Sequence, residues 1–198
     1  RSHGEPIEAV KNGVQTLLTT LKQDPYALET AYVSVITFDS TARQTVPLTD
    51  LLNFNLPSFS ASGTTALGEA LSLTANRIDA EVQKTTAETK GDWRPLVFLM
   101  TDGGPTDDWR KGLNEFKAAK KGVVVACAAG HDADTGVLKE ITEIVLQLDT
   151  ADSSSIKAFF KWVSASVSVG SQKVDAGKKE VIGLDDLPPP PPEVNVVL

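Results

Sequence analysis

Residues 100–107, MTDGGPTD, mark the point where an apolar run ends in a polar loop. The run at 95–100 has the length and composition of a buried strand, and it stops abruptly at Thr101-Asp102-Gly103. Asp102 is therefore expected at the carboxyl end of a strand, which is where open α/β sheets bind their ligands. The stretch predicts a polar site above a mostly parallel sheet.

A second loop, SASGTTALGEAL at 60–71, is rich in hydroxyl groups and glycine and opens a predicted helix. Its side chains and the carboxylate of Asp102 offer hard oxygen atoms on loops above a sheet. Mg²⁺ prefers such ligands and keeps several of its waters. The two loops together predict a magnesium site rather than a nucleophilic catalyst.

Predicted strands and helices alternate along the chain, which is typical of a parallel sheet covered on both faces. The expected fold class is therefore α/β, with a doubly wound, mostly parallel sheet. We expect inner strands at 96–100 and 123–128, and the arm of an edge hairpin at 41–46. Helices are predicted from Pro6, at 65–84, after Asp107 or Asp108, and at 135–142 and 153–167.

Together with GEPIEAV at 4–10, the two loops resemble the von Willebrand factor type A (VWA) domains of the bacterial TerY type, which are associated with tellurium resistance. The resemblance runs from about Gly4 to Gly170. It implies a Rossmann-like sheet whose first, central strand leads into an Asp-x-Ser-x-Ser motif. That strand and motif are missing before Gly4, so the chain has one predicted strand fewer than the family. Ser2 lies near the place of the second serine, one residue out of register.

For the site, the resemblance implies that Thr65 and Asp102 bind the metal, with Ser2 as a third ligand and an acidic side chain of a partner completing the Mg²⁺ shell. A rim that contacts the partner would comprise Ser62, Gly63, Gly103, Gly104 and Asp107. The residues themselves leave alternatives open. Asp102 also suits a turn, Thr65 suits a helix-capping hydroxyl, and Asp107 suits a helix cap.

The carboxyl-terminal part has a different composition, so we divide the chain into a VWA-like domain at 4–169 and a proline-rich tail at 170–198. Prolines 188–192 favour a stiff polyproline helix, which is typical of a tail or linker. The alternatives are a ligand for an aromatic groove or a strap along the chain's own domain. Residues 194–198 are rich in β-branched side chains and are an alternative occupant of the missing central strand position.

Composition limits the partners and the compartment. A net charge of −7 and a pI near 4.9 argue against nucleic acid, whose phosphates would be repelled. No apolar run approaches the roughly 20 residues that span a bilayer, so membrane insertion is not expected. The single cysteine, Cys127, excludes an internal disulfide and fits a reducing compartment, so a cytoplasmic location is expected.

Other chemistries have little support in the sequence. Two histidines and the lack of a nucleophile elbow give no Ser-His-Asp set, and Gly63-Thr64-Thr65 lacks the spacing of a phosphate-binding loop. His131, with Asp132 and Asp134, is expected in a solvated loop. Cys127 is expected to be an inert buried thiol. The chain is therefore not expected to be an enzyme.

The functional hypothesis is a metal-ion-dependent protein-binding module that recognises an acidic group on its partner. The resemblance places it in a bacterial tellurite or stress-response system with kinase-like or phosphatase-like partner proteins. Two alternatives remain. One is a metal-free scaffold that acts through its proline-rich tail, and the other is a Mg²⁺-dependent phosphohydrolase.

Overall fold

Helices and strands alternate along the computed structural model, which describes residues 5–58, 65–82, 95–150, 152–175 and 184–198. The helices are α1 (Glu5–Lys22), α2 (Pro25–Thr30), α3 (Leu67–Glu81), α4 (Arg110–Ala118), α5 (Thr135–Ile141) and α6 (Ser153–Asp175). The strands are β1 (Tyr32–Phe38), β2 (Ala42–Asp50), β3 (Val97–Thr101), β4 (Val124–Ala129), β5 (Ile144–Leu148) and β6 (Val194–Val197). Short 3₁₀ turns lie at Leu51–Asn53 and Leu184–Asp186. The predicted α/β class is confirmed.

The strands form two sheets among the described residues. Strands β1 and β2 make an antiparallel pair, and the second sheet has the order β3-β4-β5-β6. In that sheet β3, β4 and β5 are parallel, with Val97 opposite Val124 and Val125 opposite Ile144. Strand β6 is antiparallel to β5.

Strand β4 is the inner strand that the sequence predicted, and its side chains alternate between two helical layers. Val125 and Cys127 pack in the cluster that contains Phe159 of α6, together with Ala9 of α1. Ala126 and Ala128 pack in the opposite cluster with side chains of α3, α4 and α5. All six residues of β4 are buried, as expected for a parallel strand covered on both faces.

The prediction that β3 is an inner strand is wrong for the described residues. It lies at the end of the four-stranded sheet and pairs only with β4. Its four apolar residues, Val97 to Met100, are only half-buried. The apolar run predicted the strand correctly, but the composition of a strand does not determine whether a second strand pairs with its other edge.

The carboxyl-terminal residues lie on the domain, as in the strap alternative. Helix α6 continues past the boundary predicted at Gly170, and Leu187 and Val194 are buried in the same cluster as Trp162. The indole Nε1 of Trp162 donates to the carbonyl oxygen of Pro188 at 2.8 Å. Strand β6 pairs with β5 at the far edge of the sheet, so the idea that it fills the central strand position is wrong.

Candidate metal site at the carboxyl edge of the sheets

The carboxyl ends of β1 and β3 meet at residues 65 and 66. The backbone N–H of Ala66 donates to the carbonyl oxygen of Asp39, directly after β1, at 2.7 Å. Beyond β3, the N–H of Thr106 donates to the carbonyl oxygen of Thr65 at 2.8 Å, and the N–H of Thr65 donates to Thr106 Oγ1 at 2.9 Å. The segments that follow the two strands therefore meet at residues 65 and 66, although the strands belong to separate sheets.

The two residues predicted to bind metal lie at this edge. Thr65 is buried and Asp102 is half-buried, and both line one cleft between β1 and β3. Thr65 is not the helix cap that the sequence offered as an alternative, because the N-cap residue of α3 is Ala66. The structure therefore brings a hydroxyl group and a carboxylate to the same cleft.

Asp107 caps a helix, as the sequence suggested, but the helix is α3 and not α4, which follows it in the chain. Its Oδ1 accepts a hydrogen bond from Gly68 N and its Oδ2 accepts one from Glu69 N, each at 3.0 Å. It therefore caps α3 rather than the following helix α4, whose N-cap residue Trp109 makes no side-chain cap bond. Ala66, the N-cap residue of α3, has no side chain that could accept these bonds, so the cap comes from the loop after β3.

Helices α3 and α4 cross at two glycines, which holds both loops of the site together. A Cβ atom at Gly112 would lie 2.0 Å from the carbonyl oxygen of Gly68, and one at Gly68 would lie 2.6 Å from the Cα of Trp109. Both clashes are with backbone, which cannot rotate away. Neither Gly68, which lies in ALGEAL at 66–71, nor Gly112 was identified from the sequence as a crossing point, since a close crossing depends on the other helix.

Of the remaining predicted site residues, Gly103 and Gly104 make local contacts, and the others fall outside the described residues. Thr101 Oγ1 is 3.4 Å from the N–H of Gly103 and 3.2 Å from its carbonyl oxygen. Gly103 and Gly104 have no positive φ angle, and a Cβ at Gly104 would make ordinary contact with Asp134 at 3.7 Å. Ser2, Ser62 and Gly63 lie outside the described residues.

The loop at 131–134 is exposed at His131, Asp132 and Asp134, as predicted, and Asp39 lies in the turn between β1 and β2. The carboxylate of Asp39 accepts from the N–H of Thr41 at 3.3 Å within the hairpin turn. His131 is exposed, and its Nδ1 lies 3.4 Å from Gln147 Nε2, while Asp134 caps α5 through Val137 N. Burial raises the pKa of the Cys127 thiol, so this cysteine stays protonated and unreactive at neutral pH.

The donors fit Mg²⁺ in kind but are few in number. A threonine hydroxyl and an aspartate carboxylate are hard oxygen ligands, which Mg²⁺ prefers over nitrogen or sulfur. Within the described ranges, no three His, Cys, Asp or Glu side chains come close enough to hold a metal ion together. A metal at Thr65 and Asp102 would therefore depend on further oxygen atoms from water, from a partner or from other residues.

Comparisons with known proteins agree with this architecture. The family model of the von Willebrand factor type A domain matches residues 2–161. No curated protein matches the chain closely enough to count as a relative. Among solved structures, proximal thread matrix protein 1 from the mussel byssus, with a zinc-occupied MIDAS motif, has a TM-score of 0.57 and 20% identity over 81% of this chain and 42% of that one.

A second similar structure is a von Willebrand factor type A protein from Catenulispora acidiphila, with a TM-score of 0.56 and 18% identity over 81% of this chain and 38% of that one. The chain thus spans less than half the length of these two structures. At such identities the likeness concerns the fold alone. No helix in the part of the chain that the structure describes is long and apolar enough to cross a membrane.

Proposed function

Because the chain belongs to the von Willebrand factor type A domain family, we propose that it is a protein-binding module that works through a divalent metal ion at Thr65 and Asp102. Domains of this family commonly mediate metal-dependent protein interactions. The observation that carries the proposal is that the segments after β1 and β3 bond to Ala66 and Thr65, and that Thr65 and Asp102 line one cleft at the carboxyl edge. Ligands of open α/β sheets bind at this edge.

We propose Mg²⁺ as the ion, held by the Thr65 hydroxyl and the Asp102 carboxylate, with Ser2 as a further ligand. When bound, the ion supplies a concentrated positive charge that attracts a carboxylate from the partner. This matters because the protein carries a net charge of −7 and would otherwise repel an acidic group. The rest of the rim, Ser62, Gly63, Gly103, Gly104 and Asp107, would surround the partner's side chain.

Asp107 has an indirect part in this proposal. Both of its carboxylate oxygens accept hydrogen bonds from the first turn of α3, so it positions the loop that contains Asp102 against the segment that contains Thr65. It is therefore a positioning residue rather than a metal ligand.

The biological setting rests on the resemblance of GEPIEAV and TDGGPTD to TerY-type proteins. On that basis we propose a cytoplasmic component of a bacterial tellurite or stress-response system, with kinase-like or phosphatase-like proteins as partners. The relation of the site to an acidic partner does not depend on this setting.

The structure gives less support to the alternative of a metal-free scaffold that binds through its tail. Leu187 and Val194 are buried against the domain, and β6 is hydrogen-bonded to β5, so this segment is already engaged within its own chain. The third candidate, a phosphohydrolase, would need a nucleophile or a base beside Asp102. Of the other carboxylates that line the cleft, Asp39 accepts from the N–H of Thr41 in its turn, and Glu81 accepts from Gln44 Nε2 and from the N–H of Leu48.

The decisive experiment compares Asp102→Ala and Thr65→Ala with Asp108→Ala, which removes an exposed carboxylate from the same loop. Mg²⁺ binding is measured by calorimetry, and binding to an immobilised Asp/Glu-rich peptide is measured with Mg²⁺ and with EDTA. We expect the first two variants to lose Mg²⁺ binding and EDTA-sensitive peptide binding, and Asp108→Ala to keep both. Equal Mg²⁺ binding by Asp102→Ala and the parent would refute the site.

A further inference from the structure

The segment at 184–197, which we call the C-terminal arm, contacts the domain along one side only. Leu187 and Val194 are buried in the apolar cluster that includes side chains of α6. Between them, Pro189 and Pro192 are exposed. These two prolines are three positions apart, which matches the three residues per turn of a polyproline helix that lies on a surface. The arm therefore rests on the domain as an extended peptide ligand rests on its receptor.

The contacts of the arm combine two modes by which proteins recognise peptides. Trp162 is buried, and its Nε1–H group donates to the carbonyl oxygen of Pro188 at 2.8 Å, as in the aromatic grooves that bind polyproline. Strand β6 then adds to the edge of β5, and Asn195 Nδ2 donates to Asp149 Oδ1 at 3.0 Å. The ligand that fits this face is thus a proline-rich peptide with an apolar residue before the prolines and a short apolar strand after them.

The arm is an addition to the layered domain beneath it. The von Willebrand factor type A family model matches residues 2–161, a range that contains the parallel strands β3, β4 and β5 but not the arm. Strand β6 has only four residues, lies at the end of the sheet, and exposes Asn195 and Val196. Short edge elements open at a lower free energy than buried strands such as β4. The arm can therefore leave its face while the layers below it stay folded.

A second copy of the chain carries a ligand that fits this face. Its arm has the same Leu187, the same proline run and the same β6, so every contact made within one chain is available between two. A polyproline segment has no internal hydrogen bonds and stays extended, so a released arm does not fold back on itself. Reciprocal exchange between two copies closes with two-fold symmetry, which limits the assembly to a dimer.

We propose that the face formed by Trp162 and by the edge of β5 that β6 covers is a peptide-binding site, and that two copies of the chain exchange their arms across it. Each arm docks on the other copy in the observed register, with Gln147 of one copy opposite Asn195 of the other. The exchange does not involve the metal site, so it is independent of the proposed function.

Disulfide trapping between full-length chains tests the exchange. One chain carries Gln147→Cys, and a second chain of different mass carries Asn195→Cys. Directly opposite residues of antiparallel strands have Cα atoms about 4.5–5.5 Å apart, which suits a disulfide. The chains are mixed in reductant and EDTA and are then oxidised with glutathione disulfide. The control mixture replaces the second chain with Asn114→Cys, at an exposed position of α4, and the native Cys127 is buried in every chain.

We expect the first mixture to give at least about ten times more disulfide between unlike chains than the control, because docking raises the local thiol concentration to about the mM range. An excess of free peptide 184–197 should lower this yield, whereas the same peptide with Leu187→Asp and Val194→Asp should not. Equal yields from the two mixtures would overturn the exchange, even if a chain with both Gln147→Cys and Asn195→Cys formed its disulfide internally. A yield that the free peptide leaves unchanged would overturn the assignment of this face as the peptide site.

Discussion

Asp107→Ala tests whether the loop after β3 holds the first turn of α3. The substitution removes the acceptors for the N–H groups of Gly68 and Glu69, which Ala66 at the N-cap cannot replace. Losing a helix cap costs about 0.5–2 kcal/mol. Gly68 is buried, so water cannot readily replace its lost bond, whereas Glu69 is exposed and its N–H can be rehydrated. We therefore expect a loss of about 1.5–2 kcal/mol, towards the upper end of that range.

The assay is urea unfolding of Asp107→Ala, Asp107→Asn and Asp108→Ala. Asp108 is the matched control, since it lies next in the chain, is exposed, and accepts one longer bond from Arg110 N at 3.3 Å. Its removal should change the free energy of unfolding by no more than about 0.5 kcal/mol. Asp107→Asn keeps one oxygen acceptor and should fall between the two. If Asp107→Ala and Asp108→Ala were equally stable, the reasoning that Asp107 caps α3 across the loop would be refuted.

The same variants separate positioning from metal binding. If Asp107 positions the Thr65 and Asp102 segments, Asp107→Ala should weaken Mg²⁺ binding by about tenfold, the lower end of the range for residues that orient ligands. Asp107→Asn should recover part of that loss. A structural role unconnected with the site would leave the Mg²⁺ affinity unchanged in calorimetry.

Two further predictions concern packing. Gly112→Ala should cost about 2 kcal/mol in urea unfolding, because overpacking against the Gly68 carbonyl at 2.0 Å outweighs the gain in helix propensity. The exposed helical control Gly136→Ala should cost less, because its Cβ would lie 3.2 Å from the side-chain oxygen Oδ1 of Asp134 rather than against backbone. Equal stability of the two variants would contradict the close crossing. Deleting 187–198 should lower the calorimetric melting temperature by at least about 5 °C, because the deletion exposes apolar core at Trp162 and the edge of β5. The matched control deletes the exposed Leu198 alone and should leave the melting temperature unchanged. An unchanged melting temperature would restore the linker interpretation.

Much of the layered fold was predictable because the signals are local. The apolar run at 123–128 predicted the inner strand β4, and the helical spacing after Thr65 predicted α3, which begins at Leu67. The strand ending at Asp102 was likewise read from the abrupt change from apolar residues to MTDGGPTD. Helix α2 was missed although its signal is present, since Asp24 accepts from the N–H groups of Tyr26 and Ala27 and Pro25 occupies the first turn.

Partners across long sequence distances were not predictable in the same way. The residue type of Asp107 is typical of a helix cap, but only the packing of α3 against α4 decided that it caps α3. Prolines 188–192 predicted a separate tail, yet the residues on both sides of them pack on the domain, because Leu187 and Val194 are buried in the apolar cluster that contains Trp162. In both cases the local residue pattern was correct and the partner lay elsewhere in the chain.

The sequence by itself determined that strands and helices alternate, which strand faces are apolar, and that an aspartate follows a buried strand. It determined these because hydrophobic period and turn chemistry are properties of neighbouring residues. The tertiary structure alone decided that β3 stands at a sheet edge, that β1 faces it across a cleft, and that Thr65 and Asp102 line the same cleft. Such relations depend on which surfaces meet when distant segments pack, and a strand has the same apolar composition whether one neighbour or two lie beside it.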